Sequence, residues 1–280
     1  MNKMMTLIHK ECIEYPILFR LPAAICLFIV LFIGLMLTGN GNVEFSIHAN
    51  GDSMLPSVAD FLSFGGTVGN VNAWVASVVA MILFLIYTPK AMRKELDEGS
   101  LMFWRSMPVS DWQTVTTKLL FALVALPIIA SCVLVFSDLV VWVISWWHLP
   151  DTMPASSVTL WGLLLHWLTF IGRMAAVSLT LVPFTCILFV LSQLTRSPLI
   201  ILLVGIFILN LATMLVFDST LLGDLIKRFY QLPMNILFSD KPLATLLTVD
   251  FLYFALMVLV SGLCLVFSVK LRQTDDFLAK

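Results

Sequence analysis

Long apolar stretches alternate with short polar segments along the chain. An α-helix needs about 20 apolar residues to cross the hydrocarbon core of a bilayer, because each residue adds about 1.5 Å. Six stretches meet this requirement, and they cover about residues 21–38, 71–88, 119–141, 172–191, 199–217 and 251–269. The pattern predicts an all-α integral membrane protein, built as a six-helix transmembrane bundle.

The composition changes this picture little. The 280 residues are 60% hydrophobic and 12% charged, and the mean hydropathy is +1.00. A soluble domain carries about 25% charged residues, and no stretch of this chain is polar enough to form one. We therefore expect a single membrane domain over residues 1–280, with the lipid bilayer and not a nucleic acid as its surroundings.

The first residues differ from the apolar stretches. Met4, Ile8, Cys12 and Tyr15 recur at helical spacing, and polar residues lie between them. This periodicity predicts an amphipathic helix over about residues 3–20, lying in the cytoplasmic interface of the membrane. The alternative is a polar leader in which the periodicity arises by chance.

The basic residues predict the orientation. If six spans alternate, 12 of the 16 lysines and arginines fall on one side, and the loop over residues 39–70 has none. Basic loops stay in the cytoplasm, so both termini are predicted to be cytoplasmic. Lys227, Arg228 and Lys241, in the last outer loop, are exceptions.

The cytoplasmic loop over residues 90–111 carries the most distinctive pattern. Its charged segment ends at Gly99, a typical helix stop, and Ser110 with Gln113 predicts a capping box at the start of the next helix. Between them, Phe103 and Trp104 belong to an apolar cluster too short to span the membrane. Such aromatics either dock on a partner protein or dip into the bilayer interface, and the sequence leaves both open.

The run Arg93-Lys-Glu-Leu-Asp-Glu-Gly-Ser-Leu, followed by Met107-Pro-Val-Ser and Lys118-Leu-Leu, resembles the loop of ABC-2 type permeases. The resemblance implies the membrane subunit of a type V, ABCG-like bacterial ABC exporter in the cytoplasmic (inner) membrane. It further implies a coupling helix in the loop that docks on a separate ABC ATP-binding subunit, and a second permease chain, identical or paralogous. The docking residues that it implies are Glu95, Asp97, Glu98, Gly99, Ser100, Phe103 and Trp104.

The chain lacks the G-x-x-x-x-G-K-[ST] motif that cradles nucleotide phosphates, so ATP and magnesium are expected on the partner subunit. We expect no cofactor, no metal and no catalytic residue in this chain. A secondary transporter or channel would need ionisable groups near the membrane midplane, and an intramembrane enzyme would need a catalytic pair at matched depth. The Met- and Phe-rich helices favour an amphipathic or hydrophobic substrate, without naming it.

Two charges fall within apolar surroundings, where charged side chains are usually paired or functional. Asp138 and Arg173 each lie 20 residues, about 30 Å, from the cytoplasmic end of the predicted helix. They are predicted to form an ion pair near the outer edge, unless each extends separately to the interface. His148 and His166 are predicted to be interfacial. The tryptophans form an aromatic belt or line a lipid-like substrate path, and they are Trp142, Trp146, Trp147, Trp161 and Trp167.

Overall fold

The computed structural model describes residues 3–37, 64, 66–100, 109–148, 159–216, 220–239, 242–247 and 249–274. Over these ranges the regular structure is helical throughout, without a β-strand. The helices are α1 (Lys3–Glu14), α2 (Ile17–Leu37), α3 (Thr67–Tyr87), α4 (Lys94–Asp97), α5 (Asp111–Leu120), a π-helical turn (Phe121–Ala125), α6 (Leu126–His148), α7 (Leu160–Leu194), α8 (Pro198–Val216), α9 (Thr220–Phe238), α10 (Pro242–Leu247) and α11 (Phe251–Gln273).

Five helical segments in the described ranges are long and apolar enough to cross a membrane: Ile17–Leu35, Thr67–Tyr87, Asp111–Ser145, Leu160–Leu194 and Phe251–Gln273. The prediction of an all-α membrane protein is therefore confirmed. The fifth predicted span, residues 199–217, coincides with α8, whose segment Pro198–Ala212 is apolar but shorter. Six spans remain a prediction.

Two of the helices extend furthest beyond their predicted bounds. The third span is one helical run from Asp111 to His148, because its polar first turns continue from the apolar part without a break. The fourth begins at Leu160, well before the predicted start at Gly172. The tryptophans at its start were assigned to an outer flank, and they are helical.

The two local signals in the loop over residues 90–111 are both confirmed. Ser110 accepts a hydrogen bond from the Gln113 backbone, and the Gln113 side chain accepts one from the Ser110 backbone, which completes the predicted capping box. Gly99 ends α4 with a φ of +67°, a conformation that glycine adopts without steric cost. The backbone N–H of Ser100 donates to Glu95 and that of Gly99 to Leu96, the pattern of a Schellman motif.

The π-helical turn has a physical cause in the proline that follows it. Pro127 has no N–H to donate, so the carbonyl of Leu123, four residues earlier, lacks its helical partner. The hydroxyl of Ser178 on α7 donates to that carbonyl at 2.6 Å instead. The wider turn therefore brings a free carbonyl to a side chain that satisfies it.

The chain forms two compact units. Unit 1 comprises residues 1–16, 81–127 and 172–280, and in it α5 packs against both α1 and α11. Unit 2 comprises residues 17–80 and 128–171. A single membrane domain remains a prediction.

Two glycines in unit 2 allow a close approach. A Cβ at Gly69 would overlap the carbonyl oxygen of Phe64 and lie 2.5 Å from its carbonyl carbon. A Cβ at Gly162 would lie 3.2 Å from the Phe64 ring. Phe64 therefore sits in the space that these two residues leave open.

Candidate functional site

A cluster of charged side chains, here called the ion cluster, lies in unit 1 where α1, α4, α5 and α11 meet. Five of its members expose less than a tenth of their side chains, although charged groups are seldom buried unless they are paired. Its members are Lys10, Glu11 and Glu14 from α1, Glu95 from α4, Asp111 and Lys118 from α5, and Arg272 from α11.

Glu95 occupies the centre of the ion cluster. Its Oε1 lies 2.6 Å from Nζ of Lys10 and 3.2 Å from Nζ of Lys118. Its Oε2 accepts a hydrogen bond of 2.8 Å from Nη2 of Arg272, whose Nε donates to Asp111 at 2.9 Å. One carboxylate thus joins α4 to three other helices.

Lys118 connects a second carboxylate to the same centre. Its Nζ lies 3.2 Å from Oε1 of Glu11 and also donates to the backbone carbonyl of Ala91. The other oxygen of Glu11 accepts a hydrogen bond of 2.9 Å from the hydroxyl of Tyr87. The Tyr87 ring lies 4.9 Å, between centroids, from the Phe121 ring, so apolar packing surrounds the charges.

The pKa values of Glu95 and Glu14 are shifted in opposite directions. Burial alone would raise the pKa of Glu95, but Lys118, Arg272 and Lys10 outweigh it and hold that pKa well below its usual range. Burial raises the pKa of Glu14, and the nearest cation, Lys10, is 3.4 Å away. Oε2 of Glu14 has no hydrogen-bond partner among the described residues. The charged form of Glu14 is therefore less stabilised than that of Glu95.

Tyr15 and Lys94 form further contacts between the loop and the end of α1, beside the ion cluster. Nζ of Lys94 donates to the Glu14 carbonyl and lies 3.9 Å from the centre of the Tyr15 ring, a cation–π distance. Burial, followed by the charges of Glu11 and Glu14, raises the pKa of Tyr15, so its phenol stays protonated. The loop is consequently fixed to the end of α1 by backbone and ring contacts as well as by ion pairs.

The structure divides the predicted docking residues into two groups. Asp97, Glu98 and Gly99 are exposed, and Ser100 is half-buried. The Glu95 side chain is 1% exposed and faces the ion cluster, and its direct contact with a partner subunit stays a prediction. Phe103 and Trp104 lie outside the described residues.

A second buried polar site lies in unit 2 and is formed by α3, α6 and α7. The carboxylate of Asp138 is fully buried, and its Oδ1 accepts a hydrogen bond of 2.9 Å from Asn72. Its Oδ2 lies 2.6 Å from Nδ1 of His166, which is 11% exposed. We call Asp138 and His166 the dyad. Both oxygens of Asp138 have partners within unit 2, and the predicted pair with Arg173, which belongs to unit 1, stays a prediction.

Most of these partners were not predicted from the sequence. Lys10 and Glu11 were counted only as polar or basic residues, and Lys118 only as a basic residue and as part of the permease-like run. His166 was assigned to the interface, and nothing near it in sequence indicates a partner 28 residues away.

Neither site resembles a metal centre: the described ranges hold no group of three or more His, Cys, Asp or Glu side chains placed to bind one ion. The chain matches no family model, no curated protein sequence and no solved structure. Its function must therefore be argued from its own residues.

Proposed function

We propose that this chain is the permease subunit of an ATP-driven ABC-2 type exporter in the bacterial cytoplasmic membrane. A separate ATPase subunit binds the loop over residues 90–111 and carries ATP and magnesium. The chain moves an amphipathic or hydrophobic substrate and works beside a second permease chain. The observation that carries this proposal is the fixation of the loop by the ion cluster, through Glu95.

A loop that transmits force must be anchored to the membrane helices on more than one side. Glu95 bonds residues of α1, α5 and α11, and the next residues, Asp97 and Glu98, are exposed. A push on the exposed residues would therefore move several helices together and would not merely bend the loop. A buried carboxylate that bonds three cations suits this coupling role.

The amphipathic helix α1 supports the same arrangement. Its charged residues Lys10 and Glu11 turn into the ion cluster, while Met5 and Ile13 are exposed on the other side. Exposed apolar side chains on a helix that precedes a membrane span suit the cytoplasmic interface of the bilayer. We propose six spans, with both termini cytoplasmic and α1 in that interface.

In this mechanism the permease has at least two conformations, and ATP binding favours one of them. A partner can shift such an equilibrium only by binding one conformation more tightly than the other. Closure of the ATPase pair would displace the exposed loop residues, and the ion cluster would pass the displacement to α5 and α11. The substrate pathway would then open to the other side of the membrane.

The deciding experiment is co-purification of the ATPase subunit with variants of the full permease. Trp104→Ala and the double charge reversal of Asp97 and Glu98 to lysine should reduce binding, and loss of an anchored aromatic costs about 2 kcal/mol, roughly 30-fold in affinity. The matched control is Asp250→Lys, which reverses an exposed charge in the predicted outer loop. Binding that is normalised to folded permease and unchanged in every loop variant would remove the coupling role.

One observation favours a second candidate function. The dyad places ionisable groups inside helices that can span a membrane, as is typical of transporters driven by an ion gradient. A secondary transporter or channel would work without an ATPase. Transport by the purified chain alone in sealed vesicles, without ATP, would favour this alternative.

A further inference from the structure

The Asp138 carboxylate is buried in an environment that penalises charge. Asp138 lies on α6, and its partners Asn72 and His166 lie on α3 and α7; each of these helices contributes to a segment long and apolar enough to span a membrane. An ionised carboxylate without a counter-charge is strongly disfavoured in such a place. An ionised Asp138 therefore needs neighbours that supply a counter-charge as well as hydrogen-bond donors.

The distances show where hydrogen atoms must lie. Two bare lone pairs repel each other, so the separation of 2.6 Å between Nδ1 of His166 and Oδ2 of Asp138 requires a hydrogen between them. Asn72 covers the other oxygen with a neutral amide donor. If His166 carried only the hydrogen on Nδ1, both hydrogen bonds would exist and the negative charge would still be unbalanced.

A second hydrogen on Nε2 of His166 balances that charge, because the ring becomes an imidazolium. The ring of Phe64 stacks on His166 with 5.9 Å between centroids, a distance at which an aromatic face attracts a cation. Asn72 and Phe64 are neutral. A further contact between α6 and α7, in which Trp167 donates to Ser131, is neutral too. Along α7 the next charged residue is Arg173, seven residues or about 10 Å further on.

We propose that Asp138 and His166 form a proton-binding site within the membrane helices. A proton from water binds Nε2 of His166, and the Nδ1–H group donates to Oδ2 of Asp138. The resulting pair carries no net charge and holds α6 against α7. The side chain of His166 is 11% exposed, whereas that of Asp138 is fully buried, so the proton would enter at the histidine.

This site goes beyond the proposed exporter function and does not depend on it. The imidazolium is stable only while the carboxylate faces it, so proton binding and the contact of α6 with α7 are linked. A conformational change that separates the two residues would release the proton. A transport cycle that includes such a change would be sensitive to pH on the side to which the site opens.

The test is nitrogen NMR of the full chain with ¹⁵N-labelled histidine in lipid nanodiscs at neutral pH. The chain has four histidines, and loss of one signal in His166→Gln assigns the residue. We expect two N–H nitrogens for His166 in the wild type and loss of the imidazolium signal in Asp138→Asn. Asp250→Asn, which removes an exposed carboxylate, should leave the signal unchanged.

Two results would overturn the proposal. The first is a neutral His166 ring in the wild type, whether Asp138 is ionised or protonated. The second is an imidazolium that persists in Asp138→Asn, since the carboxylate would then not be its counter-charge. If Asp138→Asn fails to fold, the wild-type spectrum together with His166→Gln still decides the question.

Discussion

Nζ of Lys118 lies 3.2 Å from Oε1 of Glu95, although the two residues belong to different helices and neither side chain is more than 1% exposed. Two charges buried so completely stabilise the fold only when the whole set around them is present. Removal of one member leaves the others without a counter-charge in a place that water does not reach. The ion cluster should therefore be sensitive to single substitutions.

Glu95→Gln tests this sensitivity. The substitution keeps the shape of the side chain but leaves Lys10, Lys118 and Arg272 short of one negative charge. We expect it to lower the free energy of unfolding by about 3–5 kcal/mol, measured by denaturant titration in detergent micelles. Asp97→Asn, at an exposed position of the same short helix, should change it by no more than about 0.5 kcal/mol. Equal effects of the two variants would contradict the role of Glu95.

Acid should weaken the folded state through the same residue. The pKa of Glu95 is lowered in the folded chain, so its stabilisation is complete above the ordinary glutamate value of 4.5 and is lost as the pH falls below it. Glu95→Gln should remove this part of the pH dependence. The measurement is the free energy of unfolding of both chains along a series of acidic pH values.

Glu14 should change the pH dependence of the free energy of unfolding in the opposite direction, and Glu14→Gln tests this. Burial raises the pKa of Glu14, so the folded chain holds its proton above pH 4.5, where the unfolded chain has lost it. Stability therefore falls as the pH rises through the raised value. The glutamine variant should lack this fall and should gain stability relative to the wild type at neutral pH. A loss of stability at neutral pH would show that the Glu14 charge is favourable.

Two double-mutant cycles decide the partner of Asp138. In the first, Asp138→Asn is combined with His166→Gln, and we expect a coupling energy between about 0.5 and 3 kcal/mol. In the second, Asp138→Asn is combined with Arg173→Gln, and the effects should add within about 0.5 kcal/mol. Coupling in the second cycle alone would restore the ion pair predicted from the sequence.

The orientation of the chain can be tested by cysteine labelling. The five native cysteines are first replaced, and a single cysteine is then introduced at Asp52 or Asp97. In right-side-out cells a membrane-impermeant maleimide should label position 52 and not position 97, because the basic loops are predicted to be cytoplasmic. The reverse labelling pattern would contradict the orientation and the docking of an ATPase from the cytoplasm.

The parts of the structure that depend on neighbouring residues could be predicted from the sequence. The Ser110 capping box and the helix stop at Gly99 involve residues within five positions of each other, and both are present. The spans follow from the length of the apolar stretches, which is also a local property. Their exact ends were less predictable, as the early start of α7 shows.

The partners of buried charges could not be predicted in this way. Glu95 meets Lys10 across 85 positions and Arg272 across 177, and only the packing of the helices brings them together. Asp138 was assigned to Arg173 because the two charges lie at matched depth in the predicted helices. Histidine is not charged at every physiological pH as arginine is, and His166 lies 28 positions from Asp138, so the sequence alone offers no reason to prefer it.

Gly69 and Gly162 show that empty space can determine where an aromatic ring lies. Neither residue has a side chain that could bind a ligand or react. Yet a single methyl group at position 69 would collide with the backbone of Phe64 and displace the ring that covers His166. The cover over His166 thus depends on two absent Cβ atoms: one would meet the backbone of Phe64, and the other would meet its ring.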